Sequence, residues 1–428
     1  MKKFLTAHTV NAAVLIGTLL LICLLTVDSY ANAESEYWPT WRGPDSTGAA
    51  RSGNPPVTWS ETENIKWKVE VPGHGLSTPV IWAEKIFFLT AYESENSGAY
   101  KFDFLCMDRN TGDIIWQKTA REEVPHEKHH NSGSFASNSV VTDGKFIWAS
   151  FGSRGVYCYD MDGNEKWEKD LGKMRMKNGF GEGSSAALAG DALIIVMDHE
   201  DDSVIYALNK TNGEIIWQKD RDEGTAWATP LPIEVNGKTQ IVTNGAKLVC
   251  SYDLETGDIL WQCGWQTSNV IPSPVVGFGM VYCLSRGKMQ VINLGSDKTG
   301  DLTGTDAIVW EVDRDTPHVP SPLLYGDKIY FLSNTNGILS CYQARDGKPN
   351  YVAQNLDGVG DFYSSPVGAG DKVYLASQNG VTLVIKHSDT YEVLATNKLE
   401  DKFDASPVVV GNELFLKGTE YFYCIAEE

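Results

Sequence analysis

Residues 106–116 read CMDRNTGDIIW, and related strings end at three further tryptophans: CYDMDGNEKW at Trp167, ALNKTNGEIIW at Trp217 and SYDLETGDILW at Trp261. Each string carries a glycine four residues before its tryptophan, and a weaker copy, CYQARDGKPNY, ends at Tyr351. Because glycine adopts positive φ without steric cost, the polar, glycine-containing centre of each string predicts a hairpin turn. The flanking residues alternate between apolar and polar, which indicates strands.

A second marker precedes each of these strings and sets the period of the repeat. It is a small residue, in most copies followed by proline, and then a glycine-containing turn and an aliphatic run. The eight markers lie at Thr78-Pro79, Ser139, Ala186, Thr229-Pro230, Ser273-Pro274, Ser321-Pro322, Ser365-Pro366 and Ser406-Pro407. From Pro79 to Pro407 there are seven steps over 328 residues, about 47 per step. This period is typical of a four-stranded propeller blade, so the sequence predicts an all-β, eight-bladed β-propeller.

The last repeat, 405–426, has room for only three strands. We expect the segment IKWKVEV, residues 65–71, to supply the missing outermost strand and to close the ring. An open solenoid is the alternative, but pairing the two ends of the repeat hides edges that an open array exposes. We interpret the tryptophans of the outermost strands as structural residues that dock one blade on the next: Trp67, Trp116, Trp167, Trp217, Trp261 and Trp310.

The N-terminal 63 residues lie outside the repeat. Residues 1–33 combine two lysines, an apolar run over 12–27 and the sequence Ala31-Asn32-Ala33, which predicts a cleaved secretory signal peptide; an uncleaved membrane anchor is the alternative. Residues 34–63, with WPTWRGP at 38–44, are expected to form an arm that packs on the propeller of residues 64–428. We therefore expect an exported, monomeric protein of the periplasm or cell envelope, with no integral membrane domain after cleavage.

Charge and cysteine content restrict the function further. The chain has 36 Lys and Arg against 56 Asp and Glu, a formal net charge of −20, which disfavours nucleic-acid binding. Seven of the eight cysteines remain after cleavage, an odd number, and four of them occupy the same point of different repeats. Equivalent points in separate blades are too far apart for a disulfide, so we expect mostly buried, free thiols.

The tryptophan-containing repeat resembles the docking motif of the pyrroloquinoline quinone (PQQ)-type propeller family, over roughly residues 64–428. That family includes quinoprotein dehydrogenases and non-enzymatic scaffolds such as BamB, a lipoprotein of outer-membrane β-barrel assembly. The resemblance implies either a PQQ-dependent oxidoreductase with Ca²⁺ or a binding scaffold. The chain has no Cys-Cys pair, its blades are nearly minimal and no calcium ligand set matches. We therefore expect a non-catalytic scaffold that binds envelope proteins and carries no cofactor; a PQQ-, quinone- or sugar-handling enzyme is the alternative.

The loops that lead into the innermost strands converge on one face of a propeller, so their side chains meet around the channel. A small-molecule site is usually lined by such convergent polar groups with an aromatic ring; capping of loops and water binding is the alternative. The ligand-binding candidates are His126, His130, Asn131, Arg221, Glu223, Trp227, Arg314, His318, Asp361 and Tyr363. Arg221 is interpreted as an unburied loop residue. No metal site is predicted for His126, His129 and His130, because loop spacing fixes no geometry, and residues 198–202 (DHEDD) are expected to be a solvated hairpin tip.

Overall fold

The computed structural model describes residues 37–96, 98–264, 267–295, 298–333 and 337–427. The predicted signal peptide, residues 1–33, lies outside these ranges. The described residues form eight sheets, and the four antiparallel strands of each sheet make up one blade. They also form two short 3-10 helices, Gly152–Arg154 and Lys177–Gly179. The predicted eight-bladed, all-β propeller is confirmed.

Blades 1 to 4 follow one another along the chain, each from its innermost to its outermost strand. Blade 1 comprises β2 (Val80–Trp82), β3 (Lys85–Glu93), β4 (Tyr100–Asp108) and β5 (Ile114–Glu123). Blade 2 comprises β6 (Val141–Thr142), β7 (Phe146–Ser150), β8 (Val156–Asp160) and β9 (Glu165–Lys169). Blade 3 comprises β10 (Ala187–Ala189), β11 (Ala192–Met197), β12 (Ser203–Asn209) and β13 (Ile215–Arg221). Blade 4 comprises β14 (Leu231–Val235), β15 (Lys238–Asn244), β16 (Leu248–Asp253) and β17 (Ile259–Gly264).

Blades 5 to 8 complete the ring in the same order. Blade 5 comprises β18 (Val275–Gly277), β19 (Met280–Ser285), β20 (Lys288–Asn293) and β22 (Ile308–Val312). Blade 6 comprises β23 (Leu323–Tyr325), β24 (Lys328–Ser333), β25 (Ile338–Gln343) and β26 (Pro349–Asn355). Blade 7 comprises β27 (Val367–Ala369), β28 (Lys372–Ala376), β29 (Val381–Lys386) and β30 (Val393–Lys398). Blade 8 comprises β31 (Val408–Val410), β32 (Glu413–Lys417), β33 (Tyr421–Ile425) and, from the other end of the chain, β1 (Ile65–Glu70).

Blade 8 is completed as the sequence predicts. Strand β1 pairs antiparallel with β33, with Trp67 opposite Cys424 and Glu70 opposite Tyr421. The ring is therefore closed by hydrogen bonds between the two ends of the repeat, and β1 covers the edge of β33.

One strand of blade 4 was not foreseen. The connection between β20 and β22 contains β21 (Gly300–Asp301), which pairs in parallel with the outer edge of β17. This connection also replaces the docking turn that the other repeats offer, because Leu294, Leu302 and Ala307 pack in one apolar cluster with Trp261.

The other docking tryptophans contact the glycine turn of the next blade along the chain. A Cβ on Gly257 would lie 2.6 Å from the ring of Trp217, and a Cβ on Gly213 would lie 2.7 Å from that of Trp167. Both glycines have φ of +72°, so the turn needs glycine for its backbone as well as for its space. The indole of Trp217 donates to the carbonyl oxygen of Leu254 at 2.7 Å. Ring contact and hydrogen bond together fix the spacing of neighbouring blades.

The cysteines of the described residues are all free and buried, which confirms the expectation from the repeat. They pack in the apolar clusters between the sheets, for example Cys106 with Phe87 and Phe104. Burial raises the pKa of the Cys106 thiol to about 12 and that of Cys250 to about 11. These thiols act as small apolar side chains of the core.

Candidate functional site

A closed ring of hydrogen bonds surrounds the channel at the start of the innermost strands. In each blade, the backbone N–H of a serine or threonine donates to the side-chain hydroxyl of the matching residue in the next blade, at 2.8 to 3.1 Å. The members of this hydroxyl ring are Thr78, Ser139, Ser185, Thr229, Ser273, Ser321, Ser365 and Ser406. Blade 8 donates back to blade 1, from Ser406 to Thr78, so the ring has no open end. The small residue of the sequence marker is therefore the element that joins the blades around the axis; in blade 3 this residue is Ser185, which directly precedes Ala186.

The N-terminal arm closes the channel on the side away from this ring. Trp38 exchanges two backbone hydrogen bonds with Ile81 of β2, at 2.9 Å each. Arg42 then reaches across to blades 6 and 7, where its Nη2 donates to the carbonyl oxygens of Pro322 at 2.7 Å and Pro366 at 3.1 Å. Burial lowers the pKa of Arg42 to about 9. The arm is thus anchored on blade 1 and on blades 6 and 7, and it plugs the channel between them.

A cavity of about 330 Å³ lies above the arm, on the face where the chain enters the innermost strands. We call this face the mouth and the cavity the mouth cavity. Its wall contains five hydroxyls of the ring, and four aromatic side chains from separate segments: Trp41, Phe180, Trp227 and Tyr363. Trp41 also lines a cavity of about 60 Å³ beside Arg42 and the innermost strands of blades 3 to 5. Since Trp41 borders both spaces, it forms the floor that separates them.

The structure brings four of the predicted ligand-binding residues together in the wall of the mouth cavity: His130, Trp227, His318 and Tyr363. The indole of Trp227 is held by a hydrogen bond to the carbonyl oxygen of Gly181 at 2.7 Å. His130 Nδ1 lies 2.7 Å from the hydroxyl oxygen of Ser132. Burial, with a smaller contribution from Arg286, lowers the pKa of His318, so that ring is neutral at pH 7.

The other predicted residues do not line this cavity. His126 Nε2 lies 2.8 Å from the carbonyl oxygen of Met174, and Asn131, Arg314 and Asp361 are exposed. Glu223 is buried and accepts the backbone N–H groups of Lys247 and Leu248, at 2.7 and 3.0 Å. His129 Nδ1 contacts the carbonyl oxygen of His130 at 2.8 Å. Within the described residues, no group of three or more His, Cys, Asp or Glu side chains is placed to hold a metal ion.

Arg221 and the acidic string differ from what the sequence suggests. Arg221 ends strand β13 and is 7% exposed. Its guanidinium makes a bidentate ion pair with Asp198, at 2.6 and 2.9 Å, and donates to Thr243 at 3.0 Å. Asp198 and His199 are therefore buried, and only residues 200–202 form the exposed tip that was expected for the whole string. The reason is that a buried cation in this blade needs a counter-charge, which Asp198 supplies.

Among the residues of the cavity wall that sequence reasoning missed are Trp41, Phe180, Glu182 and Asp404. The segment WPTWRGP indicated that the arm packs, but nothing in it placed Trp41 in the channel. Glu182 Oε1 accepts from Arg154 at 2.9 Å, and Asp404 Oδ2 lies 3.0 Å from Lys402 Nζ. Each wall carboxylate is therefore compensated by a neighbouring cation: Glu182 by Arg154 of the connection between β7 and β8, and Asp404 by Lys402 of its own loop.

These wall residues do not fit PQQ with calcium. PQQ is a planar tricarboxylate, and a site for it needs cationic or strongly donating groups for the carboxylates and free oxygen ligands for Ca²⁺. No lysine or arginine of the described residues lines the mouth cavity. The oxygens of Glu182 are already occupied by Ser153 and Arg154, and Asp404 accepts from the side chain of Gln378. The wall thus lacks the charge and the free carboxylate that this cofactor requires.

Comparison with known proteins gives one family and one fold. The sequence profile described as "Outer membrane protein assembly factor BamB" matches residues 44–180, 104–263 and 201–428. The outer membrane protein assembly factor BamB of Yersinia pestis is 22% identical over 365 residues, which are 80% of this chain and 82% of that protein.

Among solved structures, BamB from Moraxella catarrhalis aligns with a TM-score of 0.58 at 16% identity, covering 85% of this chain and 97% of that one. A europium-containing methanol dehydrogenase aligns with a TM-score of 0.69 at 10% identity, covering 93% of this chain and 100% of that one. At such identities the structural likeness concerns the fold alone. The described residues include no helix with the length and apolar character needed to span a membrane.

Proposed function

Because the chain belongs to the family of the outer membrane protein assembly factor BamB, we propose that it is a non-catalytic binding scaffold of the cell envelope. The observation that carries the proposal is the family match, which extends over residues 44–428 without a gap. The chemistry of the mouth supports it, since both carboxylates of the cavity wall are paired with cations that lie beside the wall. What the mouth offers is a shaped surface with polar and aromatic groups, which suits binding.

The proposal includes export and partners in the envelope. Residues 1–33 have the charge, apolar run and Ala-x-Ala site of a signal peptide. We propose partners that belong to outer-membrane protein assembly by analogy with the assembly factor BamB of Yersinia pestis. We place the contact surface at the mouth, where Val124 is 64% exposed beside the end of blade 1 and the side chain of Arg314 is 83% exposed.

The experiment is crosslinking in intact envelopes, followed by purification of the tagged chain and identification of the captured proteins. The mouth variant combines Val124→Asp with Arg314→Glu. The matched control combines Phe278→Asp with Arg345→Glu, which make the same charge change; the guanidinium of Arg345 lies 4.1 Å above the Phe278 ring on the opposite face. We expect wild type and control to capture outer-membrane proteins or their assembly proteins, and the mouth variant to lose them.

Two results would contradict the proposal. One is recovery of the chain with its residues 1–33 intact in the cytoplasmic fraction. The other is capture of no assembly or outer-membrane protein above the level seen with an unrelated exported propeller. If both double variants lose capture equally, partner binding stands but its placement at the mouth is wrong.

A further inference from the structure

The hydroxyl ring presents unused hydrogen-bond donors to the channel. Each of its eight oxygens accepts a backbone N–H, and none of the eight hydroxyls donates to an acceptor among the described residues. Seven of the eight side chains are 5% exposed or less. A hydroxyl has one donor besides its acceptor sites, so the acceptors for these hydrogens must come from whatever fills the channel. Five of the hydroxyls line the mouth cavity, which is where a ligand can reach them.

The electrostatics of the mouth cavity favour an uncharged ligand. Glu182 is paired with Arg154 and Asp404 with Lys402, so the two carboxylates of the wall leave no unbalanced charge. The ring of His318 is neutral because burial lowers its pKa. No lysine or arginine of the described residues lines the cavity to balance an anionic ligand, and the chain as a whole is acidic. An anion would therefore lose its hydration without gaining a counter-charge.

The aromatic groups of the wall favour a ligand with flat apolar faces. Four rings come from four different segments: the arm, the loops before blades 3 and 4, and the loop before blade 7. Two of them are fixed in position, Trp227 by its bond to Gly181 and Trp41 by the anchored arm. Rigid aromatic walls bind well because little side-chain freedom is lost on binding.

Taken together, these features define one ligand chemistry. We propose that the mouth cavity binds an uncharged saccharide of one or two rings, with Trp41 and Trp227 as stacking surfaces and the hydroxyl ring as donors. A sugar ring offers apolar C–H faces to the aromatic groups and oxygen acceptors at its edge. The volume of about 330 Å³ is at the lower end of the range for small-molecule pockets, which suits one or two sugar rings rather than a longer chain. Binding in this cavity is tested independently of partner capture through Val124 and Arg314 at the mouth.

The test is calorimetric titration and saturation-transfer NMR of the full chain with neutral mono- and disaccharides: glucose, maltose, lactose and N,N′-diacetylchitobiose. Glucuronate and glucose 6-phosphate are the charged counterparts. We expect at least one neutral sugar to bind and the charged sugars to bind more weakly. Trp41→Ala and Trp227→Ala should each weaken binding about tenfold or more, which corresponds to about 1.4 kcal/mol. Trp41→Phe, which keeps a flat floor, should retain most of the affinity.

Controls separate binding from folding. Phe278→Ala removes an exposed aromatic ring on the opposite face and should leave sugar binding unchanged. Every variant is checked by its thermal melt, and if Trp41→Ala unfolds the arm, Trp227→Ala and Trp41→Phe still test the site. The inference is overturned if no neutral sugar binds at about 10 mM, a concentration that detects even weak complexes. It is also overturned if the charged sugars bind more tightly, or if both tryptophan-to-alanine variants bind like wild type.

Discussion

At the scale of single residues, Trp217 illustrates how the blades are held at their outer edge. Its ring covers Gly257 of the next blade, and its indole donates to Leu254. We expect Trp217→Ala to lower the free energy of unfolding by about 3–5 kcal/mol, as for other large-to-small core changes. The measurement is chemical denaturation beside the exposed-site variant Arg314→Ala, which should change stability by about 0.5 kcal/mol or less. Equal effects of the two variants would contradict the docking role.

Arg221 carries a second prediction at this scale. The sequence alone suggested an unburied loop residue, for which replacement should cost almost nothing. The structure shows a guanidinium held by both oxygens of Asp198 and by the hydroxyls of Thr243 and Tyr252. Arg221→Ala leaves the buried Asp198 unpaired, so we expect a loss of about 3–5 kcal/mol. The double variant Arg221→Met with Asp198→Leu should lose less than the single one in the same denaturation experiment, and a larger loss would refute this account.

The buried thiols give a third prediction. Their raised pKa values and their burial keep them protonated and inaccessible at pH 8, as shown by Cys106 with a pKa of about 12. Thiol labelling of the native protein at pH 8 should therefore be slow, and labelling in denaturant without reductant should find all seven thiols of the described chain free. Detection of only one free thiol in denaturant would instead require three disulfides and would contradict the structure.

At the scale of elements, the hydroxyl ring joins each innermost strand to the next. Ser365→Ala removes the acceptor of the Ser321 N–H, which now lies at 2.9 Å from the hydroxyl and is buried. An unsatisfied buried donor costs about 1–3 kcal/mol, so the melting temperature should fall measurably. The matched control is Ser268→Ala, an exposed serine of the mouth loops that makes no hydrogen bond within the described residues. If both variants melt like wild type, the ring contributes nothing to stability.

The elements that the sequence predicts are those that repeat. Turn glycines, docking tryptophans and Ser-Pro markers recur with a fixed period, so their strands and the ring could be read from spacing alone. The elements that occur once could not: strand β21 pairs with β17 through an insertion, and Trp41 enters the channel through contacts of the arm with blades 1, 6 and 7. Of the predicted ligand-binding residues, His130, Trp227, His318 and Tyr363 share the mouth cavity because their loops converge there, whereas Arg221 is drawn into a blade by Asp198. Such partners are set by tertiary structure, and no local pattern records them.

At the scale of the whole molecule, the N-terminal segment closes both the ring of blades and the channel. Hydrogen bonds between β1 and β33 close the ring of blades at its rim, and the arm that precedes β1 closes the channel at its centre. Both are made by residues that precede blade 1 in the chain. The N-terminal segment therefore couples the shape of the mouth cavity, whose floor it forms, to the integrity of the ring.

Two deletions separate the contribution of the arm from that of strand β1. Removing residues 34–63 takes away the plug, including the fully buried Trp38, but leaves β1 (Ile65–Glu70) to pair with β33. We expect a folded propeller with a lower melting temperature, which has lost the floor of the mouth cavity. Removing residues 34–72 also removes β1, exposes the edge of β33 and leaves Gly112 without the Trp67 ring that lies 3.0 Å from its Cβ position. Because a propeller distributes its stability around a closed ring, we expect this longer deletion to abolish the cooperative melt measured by circular dichroism. A 34–72 deletion that melts cooperatively at the parent temperature would show that blade 8 does not need the N-terminal strand, and closure by β1 would then have no energetic role.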